Sequence, residues 1–537
     1  MDTNTDAGSG VRAGRREWLG LAVLALPTLL LALDMSVLYL ALPHLSADLG
    51  ATGTQQLWIT DIYGFLIAGF LVTMGTLGDR IGRRKLLLIG AAAFAAASTL
   101  AAFSTSAEML IVARALLGIA GATQMPSTMA LLGNMFKDPK QMGMAIAVWM
   151  SCFMGGIALG PLVGGLLLGS FWWGSVFLLA LPVMALLLVA GPALLPEYRD
   201  PDGGRVDLLS VVLSLLAILP FIYGLKELAR NGWAPQFAAA VLVGIVFGVI
   251  FVRRQRALAT PLLDLRLFGN RTFSSALVIM ISGGIVSGSF FLVSIFLQMV
   301  KGLSPLAAGL WTLPMTLVTI ISVMMAPGIA QKVRPAYVIA AGLVITAIGY
   351  TVLSQVDSSS GLGLVVTGLV IGAVGAGPMG SLGTGLVLGS VPPEKAGAAS
   401  SISETGGEFG IAFGVAALGS VGTAVYTSQI ASTIPAGVPA AAANATREGI
   451  AGAVVGAGRV GGQLGADLLN AAREAYTHAV NSATAVSAAL AVVLAVVTVI
   501  ALKHVPPSGQ AQTGEGGEAD GASASEAEAG PSAPVTA

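Results

Sequence analysis

Apolar residues in this chain come in long, nearly unbroken runs, without the alternation of a half-buried strand or the one-sided stripe of a surface helix. Leu19 to Leu42 holds a single charge, Asp34, while 91–103 and 241–252 hold none. A helix that crosses the hydrocarbon core needs roughly 20 mostly apolar residues. That rule predicts spans at 18–43, 55–76, 86–106, 108–134, 143–169, 172–195, 207–229, 235–254, 273–299, 304–331, 336–355, 361–388, 396–424 and 479–502. The expected fold is therefore an all-α polytopic membrane protein of about fourteen transmembrane helices. Most polar breaks between spans are short. The exception is 425–478, an outer loop whose Ala/Gly-rich stretch 440–475 predicts a short helical hairpin. The segment 258–273 mixes leucines with Arg266 and Arg271, and this amphipathic, basic pattern predicts a stretch lying along the inner membrane surface. The tail from Pro506 is rich in Gly, Ala, Ser and Glu, a composition that predicts disorder.

Composition supports lipid as the solvent. The 537 residues are 55% hydrophobic and 10% charged, whereas a soluble domain carries about 25% charged residues. The formal net charge of zero offers no field for a nucleic acid. A single cysteine, Cys152, excludes an internal disulfide framework and reads as a small apolar residue. Residues 1–17 are polar and basic and lead into a full-length span, so an uncleaved first helix is expected rather than a signal peptide. Basic residues gather in alternate connections: Arg12, Arg15 and Arg16; Arg80 to Lys85; Lys137 and Lys140; Arg199 and Arg205; Arg253 to Arg271; Lys332 and Arg334; Lys395; Lys503. The positive-inside rule then puts the N-terminus in the cytoplasm, and an even number of spans puts the C-terminus there too.

Ionisable side chains inside a span are expensive, face the bundle interior and mark function. This chain has Asp34, Asp61, Arg114, Glu404 and Glu408 in such positions. Trp58, Asp61 and Phe65 recur at helical spacing, with Tyr63 nearby; an aromatic ring beside a carboxylate suits a lipophilic cation. Glu404 and Glu408 are four apart and stack on one face, Glu404 nearer the inner surface. Two carboxylates in low dielectric cannot both hold charge cheaply, so proton and cation compete for the pair. Arg114 needs an anionic or carbonyl partner. Between spans two and three, Gly75, Gly78, Asp79, Arg80, Gly82 and Arg83 combine helix-approach glycines with a charge cluster. Asp79 there can cap a neighbouring helix or pair with a basic residue, forming a charge lock at the inner mouth.

That loop resembles the signature motif of the major facilitator superfamily. Gly156, Gly160, Pro161, Gly164 and Gly165 in span five are similar to the antiporter motif of its exporters, and Arg114 to Gly121 resembles the span-four motif tied to proton coupling. The segments 33–43 and 53–63 resemble the fourteen-span drug:proton antiporters, in particular their QacA-like multidrug branch. The resemblance covers roughly 15–505. It implies two six-helix bundles, 18–195 and 273–502, with an inserted helix pair and linker over 196–272, a cytoplasmic N-terminus over 1–17 and a tail over 503–537. It implies substrate and proton binding at Asp34, Asp61 and the Glu404/Glu408 pair, with Trp58 and Tyr63 beside them, coupling through Arg114 and gating by the glycine motifs. The implied activity is proton-coupled export of hydrophobic organic cations from the bacterial cell, across its inner membrane, by a monomer that needs no cofactor beyond the proton gradient. No acid falls between Ser304 and Gln331, where some relatives carry one, which weakens the case for dications. A dedicated exporter of one endogenous metabolite, such as an antibiotic or siderophore, is the alternative. No His-Glu-x-x-His, Gly-x-Ser-x-Gly or phosphate-binding loop motif points to an enzyme or to ATP drive.

Overall fold

The computed structural model describes residues 13–51, 53–199, 207–231, 233–258, 261–392 and 395–507. Arg12, Arg205, residues 1–12 of the N-terminal segment and the tail from 508 lie outside the described residues, as does the Pro161 side chain. The helices, in chain order, are α1 (Arg15–Leu49), α2 (Gly53–Ile81), α3 (Arg83–Ala102), α4 (Ala107–Met135), α5 (Pro139–Ser170), α6 (Ser175–Leu178), α7 (Ala180–Leu194), α8 (Leu208–Asn231) and α9 (Pro235–Ala257). They continue as α10 (Arg271–Ser287), α11 (Ser289–Ile295), α12 (Pro305–Ala330), α13 (Pro335–Leu353), α14 (Leu362–Gly389), α15 (Ala396–Thr433), α16 (Ala440–Glu448), α17 (Ile450–Val460) and α18 (Gly462–Leu502). Among the described residues, 14 helical spans are long and apolar enough to cross a membrane, the number the apolar runs predict. No strand occurs among the described residues.

Two spans are not single rods. The sixth breaks between α6 and α7, and the ninth passes from α10 through α11 into a wide turn over Phe296–Val300. At the α10–α11 joint, a side chain on Gly288 would overlap the backbone of Gly414 in α15, so only glycine permits this contact. The outer segment 425–478 is largely helical: α15 continues to Thr433 and α18 begins at Gly462, which leaves 434–461 between these two helices. Hydropathy marks where lipid ends, not where a helix ends. The Ala-rich flanks keep helix propensity after they turn polar. Within this segment α16 and α17 form the expected hairpin, hinged at Gly449 with φ of 154° and tied back through the Tyr426 hydroxyl, which donates to the Thr446 carbonyl at 2.8 Å.

Lipid removes the hydrophobic drive between helices, so their association relies on close packing of small residues. One apolar core joins α1 to α7, with Leu24, Phe94, Leu117 and Phe177 fully buried. Others lie among α10 to α18, around Phe296 and Tyr426 and around Leu343 and Leu494. α1 packs along α5 because a Cβ at Gly156 would overlap the Leu29 carbonyl and one at Gly160 the Ser36 hydroxyl. The two sets of helices meet where α2 and α4 face α15 and where α5 faces α12 and α14. α8 and α9 pack on each other, and α8 touches both α2 and α15. Only 17% of the apolar window of α9 is buried, so this helix presents most of its surface to lipid.

Over 261–270 the segment after α9 is an irregular strap with a single 3₁₀ turn at Leu265–Gly269. Its backbone groups already have partners: the Gln255 side chain accepts from Leu262 N–H at 2.7 Å and Leu263 N–H at 3.2 Å, and the Thr76 hydroxyl donates to the Leu262 carbonyl at 2.7 Å. Asp264 then pairs with Lys395, next to the start of α15. Partial burial pushes the Asp264 carboxyl up, but the Lys395 ammonium and the Arg266 backbone N–H outweigh it and hold it below its ordinary value. A carboxyl held low contributes its tie above its unfolded value and loses it as pH falls through the folded one. The strap is therefore held at neutral pH and loosens only below about pH 4. Asp264→Ala should raise amide hydrogen exchange over 262–267 severalfold at pH 7. The difference from the native chain should shrink as pH falls below the ordinary carboxylate range, after correction for intrinsic rates.

Candidate transport cavity

A cavity of about 210 Å³ lies between the two sets of helices, bounded by α2, α4, α5, α10, α14 and α15. Among the described residues, its only charged lining side chains are Glu404 and Glu408, one turn apart on α15. Methionines, Trp149 and Phe153 make up much of the remaining wall. Glu404, although nearer the inner surface in sequence, is the more shielded of the two. Its Oε1 accepts a long hydrogen bond from the Ser400 hydroxyl at 3.5 Å, and its Oε2 is buried and meets no donor. A carboxylate oxygen in such surroundings calls for a proton or a cation to neutralise it. Glu408 is exposed to the cavity side.

Asp34 belongs to a separate centre. Its Oδ2 accepts from Arg114 Nη1 at 2.5 Å, and Arg114 Nε donates to the Ile59 carbonyl at 3.2 Å. The guanidinium also lies 4.3 Å from the centre of the Tyr63 ring. Arg114 is 1% exposed, so this pair is sealed among α1, α2 and α4. The Tyr63 hydroxyl is buried there without a hydrogen-bond partner. The anionic partner that Arg114 requires is thus Asp34, across three helices. Neither residue lines the cavity that holds Glu404 and Glu408.

Asp61, Trp58 and Phe65 do share a face of α2, but the aromatics on it turn toward the inserted pair. Trp58 lies parallel to Tyr223 of α8, with ring centres 6.4 Å apart and planes 10° apart, and Phe65 packs on the same ring at 6.3 Å. On its other side α8 reaches α15, where Phe221 stacks on Phe409 at 4.5 Å. From α2 the cavity receives Ile67 and Leu71 instead. Asp61 is half-buried.

The glycine motif sits where α2 meets the first turn of α15. Arg83 is fully buried and paired with Asp79 four residues earlier, its Nε donating to Asp79 Oδ1 at 2.8 Å. A Cβ at Gly78 would come within 2.6 Å of Arg83 Nη1, and one at Gly397 would overlap the same guanidinium. A Cβ at Gly75 would overlap the Ser401 hydroxyl. Gly82, with φ of 110°, makes the sharp turn between α2 and α3 that most side chains would strain. Arg80 lies on the last turn of α2, half-buried. In span five, Gly156 and Gly160 contact α1, whereas Gly165 has open space around it; Gly164 is buried on the same helix. A second cavity of about 340 Å³ lies at this basic end, with Lys137 and Lys140 in its lining. Leu388 lines both cavities and separates them.

Several participants escape a reading based on charge. Met125 and Met129 on α4, and Met150 and Met154 on α5, pair at one-turn spacing on two consecutive spans, a repeat visible in the sequence once sought. Tyr223, Phe409 and Gly397 acquire their meaning only from distant partners.

Two sets of packed helices around a shared, acid-bearing cavity within the membrane make the architecture of a solute transporter. The chain belongs to the Major Facilitator Superfamily, whose profile matches residues 24–415. It is a multi-pass membrane transporter, not an enzyme. It is 46% identical over 416 residues to the multidrug efflux pump LfrA of Mycolicibacterium smegmatis, covering 77% of this chain and 82% of that one. It is 34% identical over 412 residues to the methyl viologen resistance protein SmvA of Salmonella typhimurium, covering 75% and 82%. The tetracenomycin C resistance and export protein of Streptomyces glaucescens is 30% identical over 415 residues, with 76% of each chain covered. Among solved structures, the human organic anion transporter MFSD10 (TETRAN) aligns with a TM-score of 0.56 at 16% identity, over 90% of this chain and 99% of that one. At that identity the likeness concerns the fold alone.

Proposed function

We propose that this protein exports hydrophobic, mostly cationic drugs, such as quaternary ammonium compounds, dyes and fluoroquinolones, in exchange for protons. The observation that carries the reading is the pair Glu404 and Glu408, the sole charges among the described residues of a largely apolar cavity wall. One site that must be neutralised, by a proton or by a cationic guest, is the chemical requirement of an antiporter. The efflux and resistance proteins among its relatives support drug export. In the proposed cycle, protons from outside neutralise the cavity acids and lower the barrier to inward turning. A lipophilic cation then enters from the cytoplasm or inner leaflet, displaces the proton and leaves outward by alternating access. Rocking takes place between a bundle over 18–195 and one over 273–502, with 196–272 inserted between them. The Asp34–Arg114 pair serves proton coupling, Asp61 and Trp58 receive the cation near the α8 face, and Asp79–Arg83 locks the inner mouth. One proton per monovalent cation moves no net charge, whereas two would also draw on the membrane potential, about 2.3 kcal/mol per charge per 100 mV.

The same reading places a monomer in a bacterial inner membrane with both termini in the cytoplasm, which the distribution of basic residues supports. It uses no cofactor but the proton gradient. Antibiotic exporters such as the tetracenomycin protein favour a second reading, a dedicated metabolite exporter. The absence of any basic group from the described cavity lining favours cations over neutral or acidic metabolites. Substrate-induced proton release from the purified protein tests the proposal. Adding ethidium to detergent-solubilised protein in weak buffer should acidify the medium in proportion to bound dye, and binding without acidification would rule out the exchange.

A further inference from the structure

The α4–α5 wall of the cavity is made of thioethers and rings. Met125 on α4 and Met150, Phe153 and Met154 on α5 are half-buried, so each still offers surface to the cavity. Trp149 lies deeper, its ring fixed by a hydrogen bond from Nε1 to the Thr128 hydroxyl at 3.1 Å. Opposite them, α14 leaves room: a Cβ at Gly380 would already stand 3.2 Å from Met150 Cε. The hydroxyls that line the cavity, Thr384, Ser400 and Ser403, all belong to the α14–α15 side. The cavity is therefore two-faced, with charge and hydrogen bonding on the α14–α15 side and polarizable thioethers and rings on the α4–α5 side.

Methionine is flexible, unbranched and polarizable, and its sulfur makes favourable contacts with the edges of aromatic rings. Leucine would cover an alkyl chain equally well, so thioethers beside Phe153 gain their advantage only against a ring. We propose that the methionine–aromatic wall of α4 and α5 is the specificity determinant of this transporter, and that it selects flat aromatic cations over aliphatic cations of equal charge. The inference rests on the transport reading above and adds the substrate class. A ring lies against Met125, Met150 and Met154 while its delocalised charge faces Glu404 and Glu408. Because the thioethers adapt to outline, rings of different shape are accepted, and no directional polar group on that wall penalises a poor fit.

The test compares two probes on protein in lipid nanodiscs: proflavine, a flat aromatic cation, and dodecyltrimethylammonium, an aliphatic one. Met125→Leu/Met150→Leu/Met154→Leu, which conserves volume closely, should weaken proflavine binding by about five- to tenfold and leave dodecyltrimethylammonium within about twofold. Met150→Leu alone and the Met125→Leu/Met154→Leu pair should show partial effects in the same direction, which keeps the comparison valid if the triple variant folds poorly. Equal weakening of both probes, or no change for proflavine in well-folded variants, would overturn the inference. Glu408→Gln separates the two levels: it should weaken both probes together. If it leaves both unchanged, the transport reading fails, whatever the methionine variants do.

Discussion

Glutamine at both 404 and 408 should abolish drug-driven proton release and reduce efflux to that of cells without the transporter. The pair supplies all the charge on the cavity lining, so its removal leaves a lipophilic cation with apolar contact alone. Truncating one partner of a buried charge pair costs about 2–5 kcal/mol, which corresponds to a loss of about thirtyfold to several thousandfold in cation affinity. The single variants should differ. Glu404 is the shielded residue with an oxygen that meets no donor, so Glu404→Gln should mainly lower the number of protons released per dye bound. Glu408 is the exposed one, and Glu408→Gln should mainly weaken dye binding. Asp34→Asn should behave differently from both. It leaves the Arg114 guanidinium buried beside a neutral partner, so transport should fall while equilibrium dye binding changes little. A double glutamine variant that still released a full complement of protons would move the exchange chemistry from the cavity to the Asp34–Arg114 centre.

Much of the fold is legible in the sequence because one solvent, hydrocarbon, imposes one rule on every span. Breaks within a span are not legible in that way. Gly288 reads like any other membrane glycine until the backbone of Gly414 is placed against it. Nor does hydropathy locate the ends of α15 and α18, since a polar but Ala-rich sequence stays helical beyond the membrane. At the site, the intramembrane charges announce themselves by their cost: Asp34 and Arg114 pair with each other, and Glu404 and Glu408 line the cavity. Their grouping is another matter. Asp34 and Arg114 are 80 residues apart and pair across helices, while Trp58, close in sequence to the Tyr63 of that centre, stacks on Tyr223 of α8. Neutral residues are the least legible, because a methionine is unremarkable until the lining of a cavity gathers several of them.

The inserted pair illustrates how contacts give a sequence feature its meaning. By composition α8 and α9 are simply two more spans. In the structure α8 stacks Tyr223 along Trp58 of α2 and Phe221 on Phe409 of α15, one from each set of helices. Any rocking between those sets must slide or break one of these aromatic contacts. The pair thus covers the α2–α15 seam on its lipid side and constrains the motion that exposes the cavity.

Gly397→Ala should be the most damaging single methyl at the basic end. The added Cβ would overlap the guanidinium of Arg83, which is fully buried and pinned by Asp79. Two responses are open to the protein. Arg83 can leave Asp79, which breaks a buried ion pair at about 3–5 kcal/mol. Otherwise the first turn of α15 can withdraw from α2, which opens the mouth beside Lys137 and Lys140. The second needs only a hinge between elements already separate in sequence, so the open state should gain population at the expense of the closed one. A cysteine at Ile146, which is buried and lines the basic-end cavity, reports that opening in a Cys152→Ala background. With Gly397→Ala its maleimide labelling should rise about tenfold or more while efflux falls by a similar factor, the size of shift a bias of a few kcal/mol produces. Gly389→Ala is the control, because a Cβ there meets nothing within 4 Å. Wild-type labelling and efflux in Gly397→Ala would mean that the Arg83–Gly397 contact does not gate the basic end, and the lock would have to be sought in the Asp264–Lys395 strap instead.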